Sequence, residues 1–246
     1  MPKAVIFDCY NTLLRYQSEE ERDGIWNMMK EAIQYMTENK LKVTSEELKS
    51  LYQKAYIKEE KECVNKYGKH AEVCLRRVWQ DVLIKLNIPK SMAEEKSEDV
   101  LLLHRLYARK HKSLFLHVQE ELVELKKQGM KLLLLSNAQT CFIYNELPKE
   151  IRDLFDVVMI SEIMGIKKPS KELFQLAFEK LETEPEDIVF VGDSAEDDMI
   201  PSGKLGCRCI MIGEQKKKDS LLSHVIHFSP YTESGYTGLA KLVASM

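Results

Sequence analysis

Asp8 follows an apolar run, Lys3-Ala4-Val5-Ile6-Phe7, and precedes Cys9-Tyr10-Asn11-Thr12-Leu13, which sets a carboxylate at the mouth of a buried strand. A run this apolar reads as a strand covered on both faces, and in open parallel sheets chemistry collects just past the carboxyl ends of such strands. Asp8 is therefore the candidate nucleophile. Three more polar stations follow along the chain: Ser136-Asn137, Lys167-Lys168-Pro169 and Gly192-Asp193-Ser194-Ala195-Glu196-Asp197-Asp198. Each alone also reads as a helix cap, a surface amine or a turn. Together they describe one chemistry. A carboxylate can attack phosphorus or an sp3 carbon to form an ester that water then cleaves, splitting one hard displacement into two easier ones. A lysine such as Lys168 within about 4–6 Å keeps that carboxylate ionised and neutralises substrate oxygens. Thr12 and Ser136 offer hydroxyl donors to the transferring group, alongside the backbone N–H groups after Asp8. Asp8 and Asp193 with one main-chain carbonyl suit magnesium, a hard ion that takes one or two carboxylates and keeps several waters.

For these stations to meet, the strands before them must be parallel neighbours. The sequence predicts strands before Asp8 and over Lys131–Leu135, Val157–Ile160, Ile188–Val191 and Cys209–Ile212, separated by helix-compatible segments and joined by right-handed crossovers. Val118–Gln128 reads as a helix that Gly129 closes. From about Gln17 to Lys112 the texture is charged and helical in period, with no convincing strand. Capping boxes mark helix starts there, Ser18 with Glu21, Thr44 with Glu47 and Ser91 with Glu94. Ile25, Met28, Met29, Ile33 and Met36 recur at helical spacing, the pattern of a bundle with one buried face. The expected organisation is an α/β core of residues 1–15 and 113–246, with an α-helical domain of residues 16–112 inserted in the first crossover. The tail from Ser229 to Gly238 reads as loop.

Composition narrows the function classes. The apolar runs fall far short of the roughly 18 residues of a spanning helix, and Asp8 interrupts the N-terminal stretch before it could serve as a signal peptide, so neither a membrane nor a secretory role is expected. Six cysteines without a Cys-x-x-Cys pair suggest a reduced, cytoplasmic protein with buried thiols, and Cys207 and Cys209 should share one face of a strand. His70 and Cys74 at i,i+4 have no further ligands at suitable spacing. A net charge of −3 argues against a nucleic-acid partner, and Lys216-Lys217-Lys218 reads as a solvated loop. Neither a membrane nor a nucleic acid is therefore the default partner.

The ordered set of stations closely resembles the haloacid dehalogenase superfamily of aspartate-nucleophile hydrolases, in the subclass with a helical cap between its first and second motifs. Connecting text such as Leu154-Phe155-Asp156, Ser161-Glu162 and Gly165-Ile166-Lys167-Lys168-Pro169 is similar too. The resemblance implies a Rossmann-like parallel sheet with helices on both faces and an inserted helical bundle. It aligns Asp8 with the nucleophile, Thr12 with the motif-one threonine, Ser136 with the second-motif hydroxyl, Lys168 with the third-motif lysine, and Asp193 and Asp198 with the fourth-motif acids. It also implies that substrate meets Thr12, Ser136, Asn137 and Lys168, and that Mg2+ is held by Asp8, Asp193 and the Tyr10 carbonyl. Asp198 would act from behind on metal waters or Lys168, with Asp197 as understudy. The cap is expected to act as a lid that contributes most substrate contacts, hinged near Tyr16–Glu21 and Lys112–Leu116.

Tyr10 departs from the phosphatase pattern, which has a second aspartate two residues after the nucleophile. Tyrosine there resembles the 2-haloacid dehalogenases, whose halide needs no proton, and a phenol with a pKa of about 10 is a poor general base near neutrality. The acid-rich last motif and Phe174, where dehalogenases have tyrosine, pull the other way. Arg15 and Arg22 are the arginines near enough in sequence to grip a substrate carboxylate, although no motif pins either. Three readings follow, in this order: a Mg2+-dependent phosphatase on a small phosphomonoester, a metal-independent 2-haloacid dehalogenase, and a non-catalytic binding or regulatory module.

Overall fold

A computed structural model describes residues 2–19, 24–38, 41–213 and 225–246. Eight strands lie among them: β1 Ala4–Phe7, β2 Leu14–Ser18, β3 Arg109–Leu114, β4 Lys131–Ser136, β5 Val157–Ile160, β6 Ile188–Gly192, β7 Arg208–Ile212 and β8 Ile226–Phe228. Six of them form one sheet in the order β5-β4-β1-β6-β7-β8, and every neighbouring pair is parallel. Register fixes the carboxyl edge, because Phe7 lies opposite both Leu134 and Val191. Asp8, Ser136 and Asp193 therefore leave the sheet on the same side.

Both faces of the sheet are buried, which is why its strands read as continuous apolar runs. On one face Val5, Phe7, Leu132 and Val189 pack with Val118, Leu122 and Leu125 of the helix Val118–Lys127 and with Leu239 and Val243 of the helix Leu239–Ala244. On the other, Ala4, Ile6 and Leu133 pack with Leu173, Phe174 and Phe178 of the helix Lys171–Leu181. Cys207 and Cys209 are buried together on this second side, as the strand period requires. The helix Val118–Lys127 ends as its glycine predicts. Gly129, at φ 81°, donates to Lys126 O at 2.9 Å while Met130 N donates to Leu125 O at 3.2 Å, the paired bonds of a left-handed helix stop.

By contact the chain divides into Met1–Tyr16 with Lys112–Met246, and Gln17–His111. The second unit carries the helices Ile25–Met36, Ser45–Tyr67, Leu75–Lys85 and Lys90–Ala108. Ile25, Met29 and Ile33 are its buried stripe on the first of these. The Thr44–Glu47 capping box forms, with Glu47 N donating to Thr44 Oγ1 at 3.1 Å and Thr44 N to Glu47 Oε2 at 2.9 Å. The Ser91–Glu94 box does not: Pro89 is the N-cap, so Ser91 already lies in the first helical turn. A proline holds φ near the helical value, and here, at −53°, it starts the helix before the serine can cap it. Glu21 of the Ser18–Glu21 box lies outside the described residues, as do Arg22 and Lys216–Lys218. No helix among the described residues is long and apolar enough to cross a membrane.

The sequence predicts no strand between residues 17 and 112, yet both crossings are strands: β2 and β3 pair as a separate two-stranded sheet. β3, Arg109-Lys110-His111-Lys112-Ser113-Leu114, has no buried residue. A ribbon held by its backbone and by surface ions leaves no apolar period to read. β8 is a second addition, three residues long at the sheet edge.

Candidate active site

The four stations come together. Asp8, 7% exposed, is fixed by its N–H donating to Val191 O at 2.9 Å, a bond that continues the β1–β6 ladder one residue past the strand. Lys168 Nζ lies 2.6 Å from Asp8 Oδ1 and 2.7 Å from Asp198 Oδ1, and all three side chains are buried. Both polar atoms of the Asn137 amide engage the Lys168 backbone: Lys168 N donates to Oδ1 at 2.8 Å and Nδ2 donates to Lys168 O at 3.1 Å. Asn137 thus anchors the lysine.

Asp198 sits in a π-helical turn, Ala195–Met199, capped by Ser194, whose Oγ accepts the Asp197 N–H at 3.0 Å. Its second oxygen accepts the Ser194 N–H at 3.1 Å. One Asp198 oxygen is thus on Lys168 and the other on Ser194. Gly192 makes room for it, since a Cβ there would stand 2.7 Å from Asp198 Cγ. We expect Gly192→Ala to displace Asp198 and destabilise the fold by about 1–3 kcal/mol, read as a lowered midpoint in urea. An unchanged midpoint would contradict this packing.

Thr12 Oγ1 and Ser136 Oγ are buried without a hydrogen-bond partner. Buried hydroxyls are rarely left unpaired, so these two are able to serve the oxygens of a bound group. The nucleophile loop is tightly wound. Leu13 N and Leu14 N both donate to Cys9 O, at 2.8 and 2.9 Å, and Asn11 takes a positive φ of 56° while its Oδ1 accepts the Tyr16 N–H at 3.1 Å. The Tyr10 phenol donates to Glu146 Oε2 at 2.7 Å and its ring lies edge-on to Tyr16, 5.2 Å between centroids.

Asp8, Asp193 and Asp198 each bring a carboxylate oxygen within 4.8 Å of the others. Burial raises Asp8 to about 6, with Lys168 pulling down and Asp198 pushing up. Burial, then the charges of Asp8 and Asp198, raises Asp193 to about 7. Burial alone would lower Lys168, but Asp198 and Asp8 outweigh it and hold the ammonium charged. Three carboxylates around one ammonium leave an excess of negative charge on oxygen donors, the environment of a hard divalent cation. Asp8 and Asp193 are the side chains free to hold one.

A carboxyl group whose pKa is raised by folding contributes stability below its unfolded value and loses it as pH rises through the folded value. In chelator, wild type should therefore melt below Asp193→Asn at about pH 8, the gap closing as pH falls from about 7 toward about 4. A gap independent of pH would show that Asp193 carries no such penalty.

Other residues singled out in the sequence take plainer places. Phe174 is core, its ring 5.5 Å from Phe190. The Arg15 guanidinium lies over the Tyr231 ring at 5.7 Å. Sequence reasoning missed Glu146, the Tyr10 partner, and Tyr236, whose hydroxyl donates to the Thr12 carbonyl. No motif flags either. The only signal is a lone acid at a helix end and a tyrosine in a loop-rich tail.

Comparison with known proteins adds three kinds of finding. A family profile described as haloacid dehalogenase-like hydrolase matches residues 2–202. The chain is 26% identical over 247 aligned residues to a glyceraldehyde 3-phosphate phosphatase of Methanocaldococcus jannaschii, covering 100% of this chain and 99% of that one. It is 28% identical to a protein of the same name from Methanopyrus kandleri, covering 89% and 87%. In fold it is similar to a 2-haloacid dehalogenase from Pseudomonas syringae pv. Tomato DC3000, with a TM-score of 0.69, 21% identity, and 100% and 99% of the two chains covered.

Proposed function

Because this chain belongs to the haloacid dehalogenase-like hydrolases, we propose that its reaction is the Mg2+-dependent hydrolysis of a small phosphomonoester, with Asp8 as nucleophile. The observation that carries this reading is the carboxylate cluster of Asp8, Asp193 and Asp198, whose mutual repulsion a bound divalent cation would relieve. The phosphatase names of the two archaeal relatives support it.

In this reading a carboxylate oxygen of Asp8 attacks phosphorus while the leaving alkoxide departs, and water then cleaves the aspartyl phosphate. Lys168, 2.6 Å from Asp8, keeps it ionised at neutral pH and would neutralise the phosphoryl oxygens. Thr12 and Ser136 donate their unspent hydroxyls to those oxygens. Bound by Asp8, Asp193 and the main-chain carbonyl of Tyr10, magnesium would supply the charge that lets one anion approach another. Asn137 and Asp198 hold Lys168 in line. The Tyr10 proton is directed to Glu146, so protonation of the leaving group falls to substrate or solvent. Substrates with good leaving groups are then favoured.

Chelation tests the reading. EDTA should abolish phosphate release from 4-nitrophenyl phosphate and Mg2+ should restore it. Release that persists undiminished in EDTA overturns the metal, and EDTA-resistant chloride release from 2-chloropropionate would make Tyr10 the deciding residue and the enzyme a dehalogenase.

A further inference from the structure

We propose that the C-terminal tail is a strap that positions the nucleophile loop, with Tyr236 as its positioning residue. The inference rests on the phosphatase reading only for its kinetic consequence. The tail lies wholly outside residues 2–202, the segment matched by the family profile. Tyr236 is 1% exposed, an unusual depth for a residue in a turn-rich tail. Its ring packs 6.0 Å from Phe115 and 5.7 Å from Phe228, centroid to centroid. Its hydroxyl reaches across and donates to the main-chain carbonyl of Thr12.

That carbonyl belongs to the residue whose own hydroxyl is buried and unpartnered. The next carbonyl, Leu13 O, accepts Phe115 N–H at 3.1 Å, and Tyr236 N donates to Leu116 O at 2.8 Å. Two successive carbonyls of the loop are thus tied, one directly to the tail and one to the segment on which the tail rests. Gly235 permits the approach: it has φ 51°, and a Cβ there would stand 2.6 Å from Leu116 Cβ. Farther along, the Glu121 carboxylate accepts Gly238 N at 2.9 Å and Ala240 N at 2.7 Å, pinning the far end to the helix Val118–Lys127. This web holds the Thr12–Leu13 peptide, and with it the backbone from which the Thr12 side chain projects.

The test compares Tyr236→Phe with wild type in the full chain, by two readouts. Hydrogen exchange of the Cys9–Leu14 amides should speed by about tenfold while exchange in β1 and β6 is unchanged. With 4-nitrophenyl phosphate and Mg2+, kcat should fall about tenfold with KM changed less than about twofold, and in a Thr12→Val background the same substitution should cost less than about twofold. Unchanged exchange in Cys9–Leu14, or losses that multiply with Thr12→Val, overturn the strap. Should Tyr236→Phe not fold, Glu121→Ala, which removes both acceptors of Gly238 and Ala240 without emptying the core, must speed the same amides, and unchanged exchange overturns the proposal equally. Loosened amides in a protein whose wild type releases no phosphate would refute the phosphatase reading and leave the strap standing.

Discussion

Asp8→Asn is expected to lower turnover of 4-nitrophenyl phosphate by about 10,000-fold or more, while the fold in chelator becomes as stable as wild type or more so at about pH 7.5. The first half follows from the nucleophile, since a neutral amide oxygen neither attacks phosphorus nor forms the ester that water cleaves. The second half follows from charge. Two carboxylates share one ammonium, a third lies within 4.8 Å of them, and burial raises Asp8 to about 6 despite the pull of Lys168. The sign is that of a raised acid: its contribution is present below the unfolded pKa of about 4 and lost as pH rises through about 6. Above that, ionised Asp8 weighs against folding by on the order of 2 kcal/mol. Asparagine keeps the shape and removes the charge. Thermal melts and steady-state rates measure both halves, and turnover above about 1% of wild type would exclude covalent catalysis through this residue.

Lys168→Met should do the reverse, damaging both function and fold. The ammonium bonds two buried acids, at 2.6 and 2.7 Å, and methionine leaves both carboxylates without their cation in largely buried surroundings. Removing one member of a buried ion cluster costs about 3–5 kcal/mol. The acid left unpaired would hold Asp8 protonated to higher pH, so whatever rate survives should also shift its onset upward. Adding Asp198→Asn to Lys168→Met removes one stranded charge and should return part of the stability but none of the rate. Equal urea midpoints for wild type and Lys168→Met would mean that the cluster is solvated in solution.

What the sequence made legible follows burial. β1, β4 and β6 are apolar on both faces, and each places its polar residue one step past its last core position, so strand, edge and station could be read together. Thr44–Glu47 was legible because a capping box is local, whereas Ser91–Glu94 misled because Pro89 supplies a competing start. β2 and β3 were hidden because their pairing is carried by the backbone under charged side chains such as Lys110 and Glu19, which form an ion pair at 2.6 Å. Asn137 hydrogen-bonds the Lys168 backbone, a pairing across more than 30 residues that spacing cannot announce. Tyr236 was the hardest, since its meaning lies in a partner at the opposite end of the chain.

The paired crossings carry a consequence for how such a chain could have been assembled. Glu19 N still donates to Ala108 O, 2.9 Å away, so the polypeptide departs for its helical excursion and comes home through adjacent backbone positions. Between an exit and an entry that already touch, each doubling of the spliced excursion adds only about 0.6 kcal/mol of closure entropy, because that burden grows logarithmically with length. The helical segment is in that sense an interchangeable cassette, and recombination at β2 and β3 could exchange it without reopening the parallel sheet.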